Sequence, residues 1–203
     1  MTSDTSPSLK IQSLSVGALR PIDLTVAPGE VVCLSGESGS GKSRFLRAVA
    51  DLEPHEGKVS LGDLDRASMP AHQWREQVML VPAESQWWAD RVGEHFCGPM
   101  PEALSALGFS DDVTSWEVAR LSSGEKQRLA AIRALSCQPK ALLLDEPTAN
   151  LDDHSIQLFE QWILGVIQTK KMPVLWVAHD EAQMARVGQR HFRIQGDHWE
   201  LDQ

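Results

Sequence analysis

The chain has little with which to enter or cross a membrane by itself. Its longest uninterrupted apolar runs, such as Ala141 to Leu144 and Val174 to Ala178, fall far short of the roughly 20 residues that span a bilayer as a helix. The first residues, Met1 to Ser8, carry neither a basic start nor an apolar stretch, so they do not read as a secretion signal. Cysteine is scarce: Cys33, Cys97 and Cys137 are odd in number, widely spaced and in no C-x-x-C arrangement. This excludes a zinc motif and a disulfide framework and reads as reduced thiols in a cytosolic protein. An excess of basic residues is also missing. The net charge of −9 argues against a phosphate-backbone partner, which selects a basic face, so no direct nucleic-acid contact is expected. Tyrosine is absent altogether, and no repeat or low-complexity linker interrupts the sequence. What remains is 203 residues at 42% hydrophobic composition, enough for a single domain over 1–203 with an ordinary core.

Against this background one stretch stands out. Gly36-Glu37-Ser38-Gly39-Ser40-Gly41-Lys42-Ser43 fits G-x-x-x-x-G-K-[ST], the pattern of a loop that wraps a polyphosphate. Glycines let the backbone turn tightly and aim successive N–H groups at phosphate oxygens, and the following helix turns its positive dipole end to the same anion. Lys42 is placed to reach the β- and γ-phosphates, and Ser43 to set its hydroxyl on a bridging Mg²⁺. A flexible Gly/Ser turn would match by chance in on the order of one chain in a hundred of this size. The flanks lower that figure. Val31 to Leu34 is a short apolar run after Pro28-Gly29, and Phe45, Leu46, Val49 and Leu52 recur at helical spacing.

Along the chain, Leu9 to Leu14 and Ile22 to Val26 alternate apolar and polar residues as an antiparallel pair. A strand is expected over Glu56 to Asp63, helical turns over Pro70 to Glu76, and a buried strand over Val78 to Val81. From Pro82 to Leu121 the pattern breaks at Gly93, Gly98, Pro99, Pro101 and Gly108. Helical pieces are expected near Glu102 to Leu107 and Asp112 to Arg120, making a small helical insertion at approximately 84–136. Then come a helix over Gly124 to Ser136, a strand over Ala141 to Leu144, a helix over Asp153 to Gln168 and a strand over Val174 to Ala178. A helix over Glu181 to Val187 and strands near Phe192 and Trp199 close the chain. Such alternation means a parallel sheet with helices on both faces.

The run Ala141 to Leu144 ends in Asp145-Glu146-Pro147, at the end of a parallel strand where such sheets place their ligands. Alone this reads as a solvated turn. Beside a phosphate loop, Asp145 can hold the Mg²⁺ shell while Glu146 orients or deprotonates a water.

Leu121-Ser122-Ser123-Gly124-Glu125-Lys126-Gln127-Arg128 resembles the LSGGQ signature of ATP-binding cassette (ABC) proteins. Ser122 and Glu125 also have capping-box spacing, and Gly124 clears space, so this helix start offers hydroxyl, N–H and dipole to a second anion. The resemblance implies that this anion is the γ-phosphate of ATP held by the opposite subunit of a head-to-tail homodimer. Ala149-Asn150-Leu151-Asp152 is similar to the family's D-loop along the dimer seam, with Asp152 also a candidate N-cap. His179 sits at the family's switch histidine, whose implied work is to hydrogen-bond the γ-phosphate and keep water and Glu146 in register.

Three positions depart from the family pattern: Ala83 stands for the Q-loop glutamine with Gln86 out of register, Val16 for the aromatic that stacks on adenine, and Ser123 for the first signature glycine. The resemblance implies an α/β P-loop NTPase of the ABC cassette type. Its parts are a mostly parallel core sheet, a three-stranded antiparallel N-terminal edge and a shortened helical subdomain. The implied activity is hydrolysis of ATP with Mg²⁺, powering a separate transmembrane permease from the cytoplasmic face. Gln77 to Phe96 and Val174 to Asp180 are similar to bacterial iron-export ATPase subunits. Within Gln77 to Phe96, at least one of Trp87 and Trp88 is expected to be exposed for docking. A soluble ABC ATPase acting on DNA or the ribosome is the alternative, though a long coiled coil or a second cassette is missing. A small-molecule kinase would not need Ser122 to Arg128 or Asp152. A degenerate regulatory cassette fits Ala83 and Val16 but not Lys42, Glu146 and His179.

Overall fold

The computed structural model describes residues 6–202, so the reading of Met1 to Ser8 lies largely outside the described residues. Strands β1 (Leu9–Val16) and β2 (Leu19–Val26) pair antiparallel. Leu9, Ile11, Leu14 and Val16 are buried against Leu19, Ile22, Leu24 and Val26. The three-residue step from Ile11 to Leu14 is a bulge: Ser13 takes φ +49° and its N–H donates to Asp23 Oδ1 at 2.8 Å. That extra residue returns Leu14 to the core face. The chain then forms β3 (Val31–Gly36) and α1 (Lys42–Val49) before coming back to β1 through β4 (Glu56–Leu61) and β5 (Leu64–Asp65). The N-terminal sheet is therefore four-stranded, in the order β2-β1-β4-β5, rather than three-stranded. The added strand, Leu64–Asp65, is two residues long and shows no periodicity to read.

Helix α2 (Ala71–Gln77) leads into β6 (Val78–Val81), followed by α3 (Pro101–Ala106), α4 (Ser123–Ser136), β7 (Ala141–Asp145) and α5 (Asp153–Lys170). Strand β8 (Val174–Val177), α6 (Glu181–Val187) and the hairpin β9 (Arg190–Gln195) and β10 (His198–Asp202) complete the chain. The core sheet runs β10-β9-β3-β8-β7-β6, parallel throughout except for β10. Alternate residues of β3 serve two cores, Val31 and Cys33 on the face of α4 and α5, Val32 and Leu34 on that of α1 and the N-terminal sheet. Both faces are covered, which is why the strand is an unbroken apolar run. Because β3, β8 and β7 are neighbours, the loops leaving Gly36, Val177 and Asp145 emerge together at their carboxyl ends.

Between β6 and α4, the expected helix over Asp112 to Arg120 is instead two 3-10 turns, Asp111–Ser115 and Val118–Arg120. Non-local pairing takes the backbone between them: Val92 N–H donates to Trp116 O at 3.0 Å and Val118 N–H to Asp90 O at 2.8 Å. The cysteine expectation is also corrected. Cys97 and Cys137 form a disulfide, with Cα atoms 5.1 Å apart at a sequence separation of 40, leaving Cys33 free and buried. Cys97 follows the 3-10 turn Val92–His95 and Cys137 caps α4, so the fold joins what sequence spacing separates.

Candidate active site

The phosphate loop is built where only glycine fits. Gly36 has φ +143°, and a Cβ there would lie 2.6 Å from Ile194 O; Gly41 has φ +103° with Leu19 packed against it. Between them, Glu37, Ser38 and Gly39 are exposed, while the Ser40 hydroxyl is buried without a partner. Lys42, 5% exposed, curls back so that Nζ donates to Gly36 O at 2.8 Å and Glu37 O at 2.9 Å. Burial lowers its pKa, opposed by the nearby carboxylates Glu146 and Asp145. Ser43, next on the helix, donates its hydroxyl to Asp145 Oδ1 at 3.1 Å. Burial raises the pKa of Asp145 at the tip of β7, and the Ser43 hydrogen bond partly offsets this.

One residue on, Glu146 takes φ +49°, a left-handed conformation uncommon for a residue with a side chain. Its carboxylate Oε1 accepts from His179 Nε2 at 2.6 Å, which puts the imidazole proton on Nε2. Lys42, Ser43, Asp145, Glu146 and His179 thus converge from α1, β7 and β8 on one end of the sheet.

A second group forms the start of α4 and the turn into α5. Ser122 caps α4: Glu125 N–H donates to Ser122 Oγ at 3.2 Å and Ser122 N–H to Glu125 Oε2 at 2.8 Å. That backbone hydrogen bond is the main reason Glu125 has a lowered pKa. Gly124 lies against the turn, since a Cβ there would meet Asn150 O at 2.9 Å. Asp152 caps α5 by accepting from Ser155 N–H at 3.0 Å and the Ser155 hydroxyl at 2.8 Å, which lowers its pKa. Among the described residues no hydrogen bond or ion pair joins Ser122, Gly124, Glu125 or Asp152 to Gly36–Ser43.

The model of the family described as ABC transporter matches residues 19–149. The chain belongs to the ABC transporter family. It is 36% identical over 193 residues to the aliphatic sulfonates import ATP-binding protein SsuB of Pseudomonas fluorescens, covering 91% of this chain and 70% of that one. It is 30% identical over 199 residues to the probable iron export ATP-binding protein FetA of Escherichia coli, covering 89% and 88%. An importer's and an exporter's subunit thus stand together, and what their names share is ATP binding. The fold superimposes on the ATP-binding cassette MJ0796, in a dimeric post-hydrolysis state bound to ADP and Pi, with a TM-score of 0.80 at 23% identity, covering 95% and 98%. It also superimposes on a bacterial Atm1-family ABC exporter with ATP bound, at 0.83 and 24%, covering 95% of this chain and 37% of the exporter's.

As an ABC ATPase, the chain departs from the family pattern where its sequence does. Val16 is 4% exposed and sunk in the N-terminal sheet, so it offers no face to a base. Arg44 lies over the turn between β1 and β2 instead: a Cβ on Gly17 would be 2.5 Å from Nη1 and 3.0 Å from Cζ of its guanidinium. Glu53 Oε1 holds the group by accepting from Nε and Nη2 at 3.1 and 2.9 Å. Gln86 is fixed by its backbone, its carbonyl accepting from Arg133 Nη1 at 2.7 Å. Arg133 also stacks over Trp87 and Trp88, at 4.7 and 5.2 Å from their ring centroids. Trp88 is 74% exposed, while Trp87 is half-buried with its indole N–H unpartnered. Sequence reading gave no role to Arg44 or Arg133, because long side chains act away from their position in the chain.

Proposed function

We propose that the chain acts as the ATP-hydrolysing subunit of an ABC transporter through a homodimer in which each site takes Lys42 from one subunit and Ser122 from the other. The reading rests on the 2.6 Å contact between Glu146 and His179 beside the Lys42, Ser43 and Asp145 cluster. The phosphate loop fits ATP: the buried, unpartnered Ser40 hydroxyl and the loop N–H groups supply donors, and Lys42 can exchange two carbonyl oxygens for phosphate oxygens. The hydroxyl of Ser43 and carboxylate of Asp145 are the hard oxygen donors that would hold Mg²⁺. Bound there, the ion would neutralise charge on the β- and γ-phosphates. Glu146 then orients a water and takes its proton, while His179 holds that carboxylate in place.

Ser122, Gly124 and Glu125, which among the described residues make no hydrogen bond to the chain's own phosphate loop, would face the γ-phosphate on the partner subunit, with Asp152 along the seam. Residues 1–203 are read as one ATPase domain, with the helical subdomain at approximately 84–136. No helix among the described residues is long and apolar enough to cross a membrane. A separate permease would hold the subunit at the membrane, with the exposed Trp88 as anchor. Phosphate release from MgATP by the purified protein, abolished in Lys42→Ala, tests the activity; a wild-type protein that binds ATP but releases no phosphate would reject it. Light scattering with and without ATP tests the dimer.

A further inference from the structure

Gln127 ties the two halves of the candidate site together within a chain. It lies on α4 just beyond the Ser122 cap and is 5% exposed. Its Nε2 donates to Glu146 O at 2.7 Å, and its Oε1 accepts from both the backbone N–H and the side-chain Nδ2 of Asn150, at 3.3 and 3.2 Å. A buried carboxamide with both ends engaged has its orientation fixed. What it holds is under constraint. Glu146 has φ +49° and precedes Pro147, a position that favours extended backbone, so tertiary contacts must maintain the conformation. Those contacts are Glu146 N–H to Val177 O at 3.1 Å on one side, and Ala149 N–H and Gln127 Nε2 on its carbonyl. Cβ and the carbonyl carbon turn together about N–Cα, so a change in φ that released the carbonyl would also swing the side chain away from His179.

Resting on the ATPase reading above, we infer that Gln127 is a positioning residue for hydrolysis: it sets the Glu146 carboxylate by holding the Glu146 carbonyl, and so links the start of α4 to the reacting end of the site. Gly124 packs against Asn150 O one turn earlier, so a shift of the α4 start moves the turn and Gln127 together. Further along the same helix, Arg133 grips Gln86 O and the exposed Trp88 face. One rigid helix therefore touches the docking face, the signature and the general base.

The test is a double-mutant cycle on the full chain. Gln127→Met removes both hydrogen-bonding ends at similar volume; Gln127→Glu keeps the acceptor for Asn150 but loses the donor to Glu146 O, and serves if the methionine variant does not fold. Each should lower kcat by on the order of tenfold to a hundredfold, as a misplacement of about 1 Å does, with KM and ATP affinity within about twofold of wild type. In the Glu146→Gln background the same substitution should have almost no further effect, because the group it positions is already gone. An equal loss in both backgrounds, or a raised KM at unchanged kcat, would overturn the inference. A wild-type protein without ATPase activity would instead overturn the functional reading beneath it.

Discussion

Glu146→Gln isolates proton handling from shape. The carboxamide can still accept from His179 Nε2, as the carboxylate does at 2.6 Å, and the backbone at φ +49° stays pinned by Val177 O and Gln127. The variant should therefore retain the site's geometry and lose only its acceptor for a water proton. General-base contributions of about a hundredfold to ten-thousandfold correspond to roughly 3 to 5.5 kcal/mol of barrier. Turnover should fall at least about a hundredfold on that basis. Affinity should hold or tighten. Glu146 favours the charged form of Lys42 and disfavours that of Asp145, so its removal lowers the negative charge that ATP must approach. Phosphate release measures turnover, equilibrium dialysis measures affinity, and light scattering should show the unhydrolysed ATP holding the variant as a dimer. Turnover at the wild-type rate would remove Glu146 from the mechanism; loss of ATP binding would make its role structural.

Trp88→Ala should weaken co-purification with the membrane subunit by about thirtyfold if the indole is a docking hot spot worth about 2 kcal/mol, with basal ATPase activity unchanged; undiminished complex formation would reject the anchor. If the base of ATP stacks on the guanidinium that covers the turn at Gly17, Arg44→Ala should weaken ATP binding severalfold at unchanged kcat, a flat cation over a ring being worth roughly 0.5 to 2 kcal/mol; an unchanged affinity would leave Arg44 only its pairing with Glu53. Thiol titration should find no reactive group in the native oxidised protein, one after denaturation and three after reduction and denaturation. Burial pushes the Cys33 thiol up to about 12, so about one molecule in ten thousand is thiolate at pH 8. Opening the 40-residue separation between Cys97 and Cys137 should remove up to about 4 kcal/mol of chain-entropy stabilisation, seen as a melting point lower by several degrees; an unchanged melting point on reduction would reject a stabilising role for the bond.

The amino-acid sequence by itself determined the elements whose causes are local. The phosphate loop needs glycines at left-handed positions, and these are visible as Gly36, Gly39 and Gly41. The Ser122–Glu125 and Asp152–Ser155 caps close over three residues. The strands β3, β7 and β8 are covered on both faces and so read as unbroken apolar runs, which made the parallel sheet legible along with Lys42, Ser43, Asp145, Glu146 and His179 at the carboxyl ends of its central strands. Only the tertiary structure decided what depends on approach between distant segments. Cys97 reaches Cys137 across 40 residues because a loop packs on the end of α4. Backbone pairing with Asp90 and Val92 turned the expected helix near Asp112 into two short turns. Arg44 covers a turn more than twenty residues before it in the chain, and Gln127 holds a carbonyl nineteen residues ahead. Periodicity records which face of an element is buried, but it carries no record of which distant atom a long polar side chain will find once that face is covered.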